Sequence, residues 1–411
     1  MIAAVLSSTL VGTTGRPVTV EVHVSSGIPG FTVVGLPDAA VRESRDRVRA
    51  AMLSSGLGWP QRRVTVNLAP SGVRKGGAGL DLPIAVGLLV ASGSLPTQAV
   101  EATALVGELG LDGSLRHVPG MLPLAGAAGA SGATRFVVPE ADGAEAAMAH
   151  PGAVAGAATL GQVVRILRGH EPWPEPRGRG PGEADVGVAP APPGGPDLAE
   201  VKGQLVGRRA VEVAAAGAHH LLLVGPPGSG KTMLAERLPG LLPPLTREEA
   251  LEVGRIRSAA GLGLGAGGLV RRAPYRAPHH GASAVSLVGG GTAAMRPGEI
   301  SLAHRGVLFL DEMGEFPAAV LDALRQPLED GVVRVCRARG TVELPARFLL
   351  VGAMNPCPCG TGGPMGTCRC TPAARARYAR RLSGPLLDRF DLVVPLARPG
   401  TEELLDLAAG E

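Results

Sequence analysis

The run Gly225-Pro226-Pro227-Gly228-Ser229-Gly230-Lys231-Thr232 restricts what this chain can fold into more than any other stretch. Its spacing, G-x-x-x-x-G-K-[ST], is that of a P-loop, which needs a strand before it and a helix after it. Leu221–Val224 reads as a buried strand and Met233–Leu238 as a helix, so the context is met. In that setting backbone N–H groups wrap phosphate oxygens at a helix N-terminus. Lys231 then places an ammonium on the β- and γ-phosphates, and the Thr232 hydroxyl is left to hold Mg²⁺. Glycine stands where a Cβ would collide with phosphate. A plain Gly/Pro-rich turn is the alternative, and it leaves the Lys-Thr pair and the flanking elements unexplained. The stretch reads as a nucleotide-binding loop.

A second apolar run, Gly306-Val307-Leu308-Phe309-Leu310, ends in Asp311-Glu312 and looks like a Walker B strand. In P-loop hydrolases the first carboxylate reaches Mg²⁺ through its water shell, and in the AAA+ branch the next glutamate orients the attacking water. An acidic pair closing a strand is common by itself. Its position downstream of a P-loop gives it weight.

Length and charge bound the rest. A chain of 411 residues with 45% hydrophobic content suits two or three packed domains. The formal charge is only +4, so any nucleic-acid contact must be local. Lysine occurs only at 75, 202 and 231, and with arginine supplying nearly all basic charge, arginine at one site is weak evidence of phosphate binding. Aromatics at 2% speak against an extended base-stacking platform. The N-terminus lacks a basic segment followed by a sustained apolar stretch, and the longer uncharged runs are broken by Pro and Gly. The expectation is therefore no signal peptide, no membrane partner and a cytoplasmic location. Four of the five cysteines crowd into Cys357–Cys370, which points to thiols in a reducing compartment.

Along the chain, residues 1–36 alternate in strand fashion, most clearly over Val18–Val24. Residues 38–55 carry helical spacing, with Val41, Val48 and Met52 opposite Arg42, Arg45 and Arg49. A strand is expected at Arg63–Leu68 and a helix at Asp81–Ser92. Pro and Gly saturate 171–197, which predicts a linker, because Pro removes donors and Gly raises the ordering cost. Lys75, set among glycines, reads as a solvated turn lysine or as a phosphate contact. Between Asp311-Glu312 and the strand Phe348–Val351, the alternation on both sides of Arg339-Gly340 reads as a β-hairpin.

The early region, including Gly107–Arg116, resembles the Lon-protease-like, S5-type α+β domain that begins the ComM/YifB relatives of magnesium chelatase subunit I. The sequence argues against a retained Ser–Lys dyad, because residues 73–91 hold no serine and Lys75 is the only lysine in the first 200 positions. The resemblance becomes detailed over Val201–Leu242, Tyr275-Arg276-Ala277-Pro278-His279-His280, Arg296–Gly306, Leu321–Gly331, Ala353–Gly360 and Ser383–Asp391. The Arg-Ala-Pro-His-His and Asn-Pro-Cys-Pro-Cys-Gly runs are its most selective parts; residues 281–287 depart from the polar pattern expected there.

By this resemblance the fold is α/β. It implies a Lon-like domain over 1–170, the linker 171–197, a parallel-sheet P-loop AAA+ domain over 198–396 with a cysteine-rich insert at 357–370, and the start of a helical lid at 397–411. Most of the lid is missing, so the chain is expected to be C-terminally truncated. ATP and Mg²⁺ are the implied ligands. Asn355 takes the sensor 1 place, with a strand-end turn residue as the alternative. Arg389 takes the place of an arginine finger acting on a neighbouring subunit, against a local ion pair with Asp388 or Asp391. A finger in trans requires a head-to-tail ring, expected to be a hexamer when full length. In related rings the hairpin points into the pore, which makes Arg337 and Arg339 DNA-contact candidates, against a solvated hairpin tip.

Cys357-x-Cys359 and Cys368-x-Cys370 suit tetrahedral Zn²⁺, with a redox pair or ordinary thiols as alternatives. The function expected is an ATP-driven ring motor on branched or single-stranded DNA, like the ComM helicases of branch migration in recombination and DNA uptake. A chelatase subunit assisting Mg²⁺ insertion into a porphyrin, and a non-catalytic nucleotide-dependent scaffold, are the competing readings.

Overall fold

The structure, a computed structural model, describes residues 1–150, 152–174, 188–189, 195–264, 268–291, 295–337, 340–361 and 368–401. They divide into two compact units. One comprises Met1–Gly187, Gly254–Gly268 and Gly291–Arg296; the other comprises Val188–Val253, Leu269–Gly290 and Pro297–Glu411. Most of the linker expected over 171–197, and residues 402–411 of the lid, lie outside the described residues.

In the first unit Val18, Val20, Val22 and Val24 are buried while their neighbours are not, the period of a strand with one face on a core. Seven strands form one mixed sheet: β1 Ile2–Val11, β2 Thr14–Ser25, β3 Gly30–Val34, β4 Arg63–Ala69, β5 Thr103–Leu105, β6 Arg135–Pro139 and β7 Ala153–Ala157. The order is β3-β4-β2-β1-β5-β6-β7. Pairs β1–β2 and β2–β4 are antiparallel and the others parallel. Successive residues of β1 face opposite ways. Val5 joins the core that buries the helix Asp81–Ala91, and Leu6 packs on the core of the helix Met121–Ala130. Gly87 permits the first contact to be close, since a Cβ there would stand 2.6 Å from Val22 Cγ2. Each apolar side chain fully buried this way contributes about 1.5–3 kcal/mol.

The expected helix over 38–55 is present as Ala39–Arg42 and Ser44–Ser54, with Val41, Val48 and Met52 buried. Lys75 requires a correction. It is not a solvated turn lysine: its side chain is buried, its ammonium donates to the Pro70 carbonyl, and burial holds its pKa below the usual lysine value.

The second unit is built on a five-stranded parallel sheet of β8 Leu221–Val224, β9 Tyr275–Arg276, β10 Val307–Leu310, β11 Leu349–Met354 and β12 Leu392–Pro395, in the order β9-β10-β11-β8-β12. The three central strands, β10, β11 and β8, are continuous apolar runs because both faces are covered. Leu221, Leu223, Phe309 and Val351 enter one core, and Leu222, Leu308, Leu310 and Leu350 the other. The α/β class expected from the sequence is the class observed. No helix among the described residues is long and apolar enough to cross a membrane.

The expected hairpin is also present. Val332–Arg337 pairs antiparallel with Gly340–Pro345, and Arg337 stands opposite Gly340. Arg339 and the side chain of Arg337 lie outside the described residues.

Candidate active site

Parallel strands deliver the loops at their C-terminal ends to one edge of the sheet, where open α/β folds place their ligands. Here three such loops meet. The loop after β8 turns through Gly228 and Gly230, with φ of 77° and 82°, into the helix Lys231–Leu241. That left-handed backbone is cheap only for glycine. Gly225 is fixed by contact instead: a Cβ would come within 2.6 Å of Ser229 Oγ and 2.7 Å of the Leu396 carbonyl oxygen.

The register Val224↔Met354 and Leu310↔Gly352 brings the ends of β8, β11 and β10 together. Lys231 Nζ donates to the Gly225 and Pro226 carbonyls at 2.7 and 2.9 Å, and to Asn355 Oδ1 at 3.4 Å. Thr232 Oγ1 donates to Asp311 Oδ2 at 2.8 Å. Asp311 Oδ1 accepts from the Glu312 N–H at 2.8 Å. Lys231, Thr232, Asp311 and Asn355 thus form one connected group. Desolvation pushes the Lys231 pKa below its usual range, against the opposing pull of Asp311 and Glu312. The Thr232 hydroxyl beside a carboxylate is the hard-oxygen pairing Mg²⁺ takes.

Glu312 has φ 49° and ψ 45°, an uncommon backbone for a non-glycine residue and one that concentrates at functional sites. Its carboxylate faces His280, with Nδ1 at 3.2 Å from Oε2. His280 is packed against the His279 ring at 4.0 Å and meets the edge of Phe316. The loop carrying both histidines leaves β9 at Arg276, which is clamped bidentately to Glu299 at 2.6 and 2.7 Å. The Arg-Ala-Pro-His-His run is therefore a tethered arm that presents a histidine to Glu312.

Arg389 is not joined to this group. Its guanidinium pairs with Glu329 of the same chain, not with Asp388 or Asp391; Asp391 instead accepts from the His220 N–H at 2.8 Å. Sequence reasoning missed Arg398, whose Nε donates to the Pro227 carbonyl at 2.8 Å. It also missed Gln204, which donates to the Ser229 carbonyl at 2.9 Å. Arg398 lies in none of the quoted runs, and Gln204 lies in the Val201–Leu242 stretch without a role assigned to it. Only the pairing of β12 beside β8, Val224 with Pro395, places Arg398 near the loop. His280 had a signal in the quoted run but no partner to name.

The four clustered cysteines are brought together, with all four Sγ atoms within 4.8 Å of one another. Cys357 lies 3.3 Å from Cys359 and 3.5 Å from Cys368, and Cys359 lies 3.6 Å from Cys368. A tetrahedron of sulfurs around Zn²⁺ has edges of about 3.8 Å for metal–sulfur bonds of ~2.3 Å, so the set is sized for that ion. Hydrogen bonds with Thr361 pull the Cys359 thiol down to about 5, while desolvation and the neighbouring sulfurs push Cys370 up to about 12. Among the nearby arginines, Arg381 is held locally by Glu315 at 2.6 Å and the Gly314 carbonyl at 2.7 Å.

Comparison with known proteins gives two family matches: a magnesium chelatase subunit ChlI model over residues 197–404, and a model for subunit ChlI of Mg-chelatase over residues 20–142. YifB of Salmonella typhimurium, itself uncharacterised, is 47% identical over 406 residues, 97% of this chain and 77% of YifB. The competence protein ComM of Haemophilus influenzae is 46% identical over 410 residues, 97% of this chain and 78% of ComM. An uncharacterised protein of Mycobacterium tuberculosis is 50% identical over 387 residues, 94% of this chain and 75% of that protein.

Proposed function

The chain belongs to the ComM/YifB group of the magnesium-chelatase subunit ChlI family of AAA+ ATPases, and on that premise we propose that it is an ATP-driven motor acting on DNA. The observation that carries the hydrolytic half is the convergence of Lys231, Thr232, Asp311 and Asn355 at the ends of three parallel strands.

In this reading residues 225–232 cradle the phosphates through backbone N–H groups, and Lys231 neutralises β/γ charge. Thr232 and Asp311 would hold Mg²⁺, which would supply charge neutralisation for the transferring phosphoryl group. Glu312 takes the proton of the attacking water, and Asn355 fixes that water beside the γ-phosphate. Arg389 serves a neighbouring copy in a head-to-tail ring, leaving Glu329 to reach phosphate across the junction. The cysteine cluster holds a structural Zn²⁺, since four protein ligands leave no open position for catalysis. A cytoplasmic location fits a motor on DNA with thiols kept reduced.

The DNA half is supported by the competence role in ComM's name and by the hairpin whose strand Val332–Arg337 brings the sequence candidate Arg337 to its end. The family description favours a second reading, in which the same ATPase assists Mg²⁺ insertion into a porphyrin.

Migration of a synthetic four-way DNA junction separates the two. The parent should move the junction only with ATP and Mg²⁺. Glu312→Gln should bind both ATP and junction yet lose at least about a hundredfold in rate, the usual cost of removing a general base. Migration by Glu312→Gln at the parental rate would overturn the assignment of Glu312. ATP-dependent metal insertion without any junction movement would replace the DNA reading with the chelatase one.

A further inference from the structure

The segments that carry the cysteine cluster are linked to the nucleotide loops at three places. Cys357 follows Asn355 with only Pro356 between them, so whatever fixes Cys357 fixes the end of β11. Gly360, in the turn closed by its N–H to the Cys357 carbonyl at 2.9 Å, has φ 77° and lies against Pro227 of the phosphate loop. A Cβ at Gly360 would come within 2.9 Å of Pro227 Cδ. On the other side Cys370 leads into the helix Pro372–Ala379, capped by Thr371. That helix buries Tyr378 against Gly314, where a Cβ would meet Tyr378 Oη at 2.8 Å, just beyond Glu312. The chain segments that carry the four cysteines therefore meet the phosphate loop through Gly360, continue the Asn355 strand end, and reach the loop after Asp311-Glu312 through Tyr378.

From this we infer that the four-cysteine site is a Zn²⁺ brace for the nucleotide site, so that metal occupancy and nucleotide affinity are coupled. The inference rests on the zinc reading given above. Its physical basis is pre-organisation. Four closely spaced thiolates repel one another unless a cation neutralises them, and without it the 357–361 turn has no reason to keep its place against Pro227. A loop that must order itself on binding loses affinity to that cost. Coupling of this kind is reciprocal, so bound nucleotide tightens zinc by the factor by which zinc tightens nucleotide.

The test measures Mg-ADP affinity by calorimetry on the full chain. Zinc content is followed by elemental analysis before and after a zinc-selective chelator, with Mg²⁺ in excess. One Zn²⁺ per chain is expected. Removal should weaken Mg-ADP about tenfold, within the usual range for coupled sites, and zinc added back should restore it. Saturating Mg-ADP should make zinc about tenfold harder to strip.

Because Cys357→Ser risks misfolding, Gly360→Ala serves as a second variant. It keeps all four thiols, so it should retain zinc while losing nucleotide affinity through its clash with Pro227. Cys336→Ser, on the hairpin outside the cluster, should change neither quantity. Freshly reduced protein without zinc overturns both the metal site and the coupling. Zinc present but removable with no change in Mg-ADP affinity overturns the coupling and leaves the metal site standing. Zinc bound with no Mg-ADP binding at all instead removes the nucleotide reading.

Discussion

Asn355 shows how much of this site depends on single residues placed by others. Its amide oxygen sits 3.4 Å from Lys231 Nζ although 124 positions separate them, because β11 lies directly between β8 and β10. Replacing it with Ala should leave nucleotide affinity close to the parental value, since Lys231 keeps its carbonyl partners. Hydrolysis should fall about a hundredfold, the scale of losing one polar group aimed at a developing charge. Single-turnover hydrolysis beside a separate nucleotide titration checks this; an unchanged rate would remove Asn355 from the chemistry. At this scale the sequence is most informative where chemistry is local. The Gly225–Thr232 run is legible because its glycines, lysine and threonine are neighbours in the sequence. His280 and Arg398 are not, because each matters only through a residue the fold brings from far along the chain: Glu312 for the first, Pro227 for the second. Lys75 misleads for the opposite reason, since glycine neighbours suggest a solvated turn and the side chain is instead buried.

Among the elements, β11 is tied at its N-terminal end by two neutral histidines. His304 Nδ1 accepts from the Arg347 N–H at 3.0 Å, and His220 Nδ1 accepts from the Leu350 N–H at 3.1 Å. Burial holds both imidazoles below their ordinary pKa, despite the opposing pull of Asp391 on His220 and of Glu252 on His304. A depressed pKa means the folded chain binds the proton less readily than the unfolded chain. The stability these bonds supply is therefore full above the ordinary imidazole value of ~6.5 and is lost as pH falls through the lower, folded values. Going from about pH 7.5 to about pH 5.5 should lower the Tm of this unit. In His304→Asn, whose amide oxygen accepts without titrating, the drop should be smaller. Equal drops in parent and variant, measured by calorimetry, would show that His304 does not carry the effect. The strands over Val18–Val24, Arg63–Leu68, Leu221–Val224, Val307–Leu310 and Phe348–Val351 were legible, because continuous apolar runs and period-2 alternation follow directly from two-sided and one-sided burial, whereas Arg135–Pro139, Ala153–Ala157 and Leu392–Pro395 were not. Strand order was not legible, since nothing in Leu349–Met354 announces that it inserts between two earlier strands.

For the whole molecule, the formal charge of +4 on 411 residues leaves no general attraction to DNA, so stimulation by DNA must come from a few cations at a defined place. The family was legible from the phosphate-loop spacing, the Asn-Pro-Cys-Pro-Cys-Gly run and the early strands, and its models match residues 20–142 and 197–404; that 254–268 and 291–296 group with the first unit was not. How copies of this chain would assemble depends on surfaces that no single motif encodes. The measurement that bears most directly on the central claim is the ATPase rate with and without a four-way DNA junction across a salt series. A motor gripping phosphates releases counterions, so its affinity for the junction falls by about 0.9 decades per decade of salt for each phosphate contacted. The account predicts that the junction accelerates hydrolysis at about 50 mM salt and that the acceleration fades toward about 200 mM, while the basal rate holds. An ATPase rate that ignores the junction at every salt concentration would contradict it.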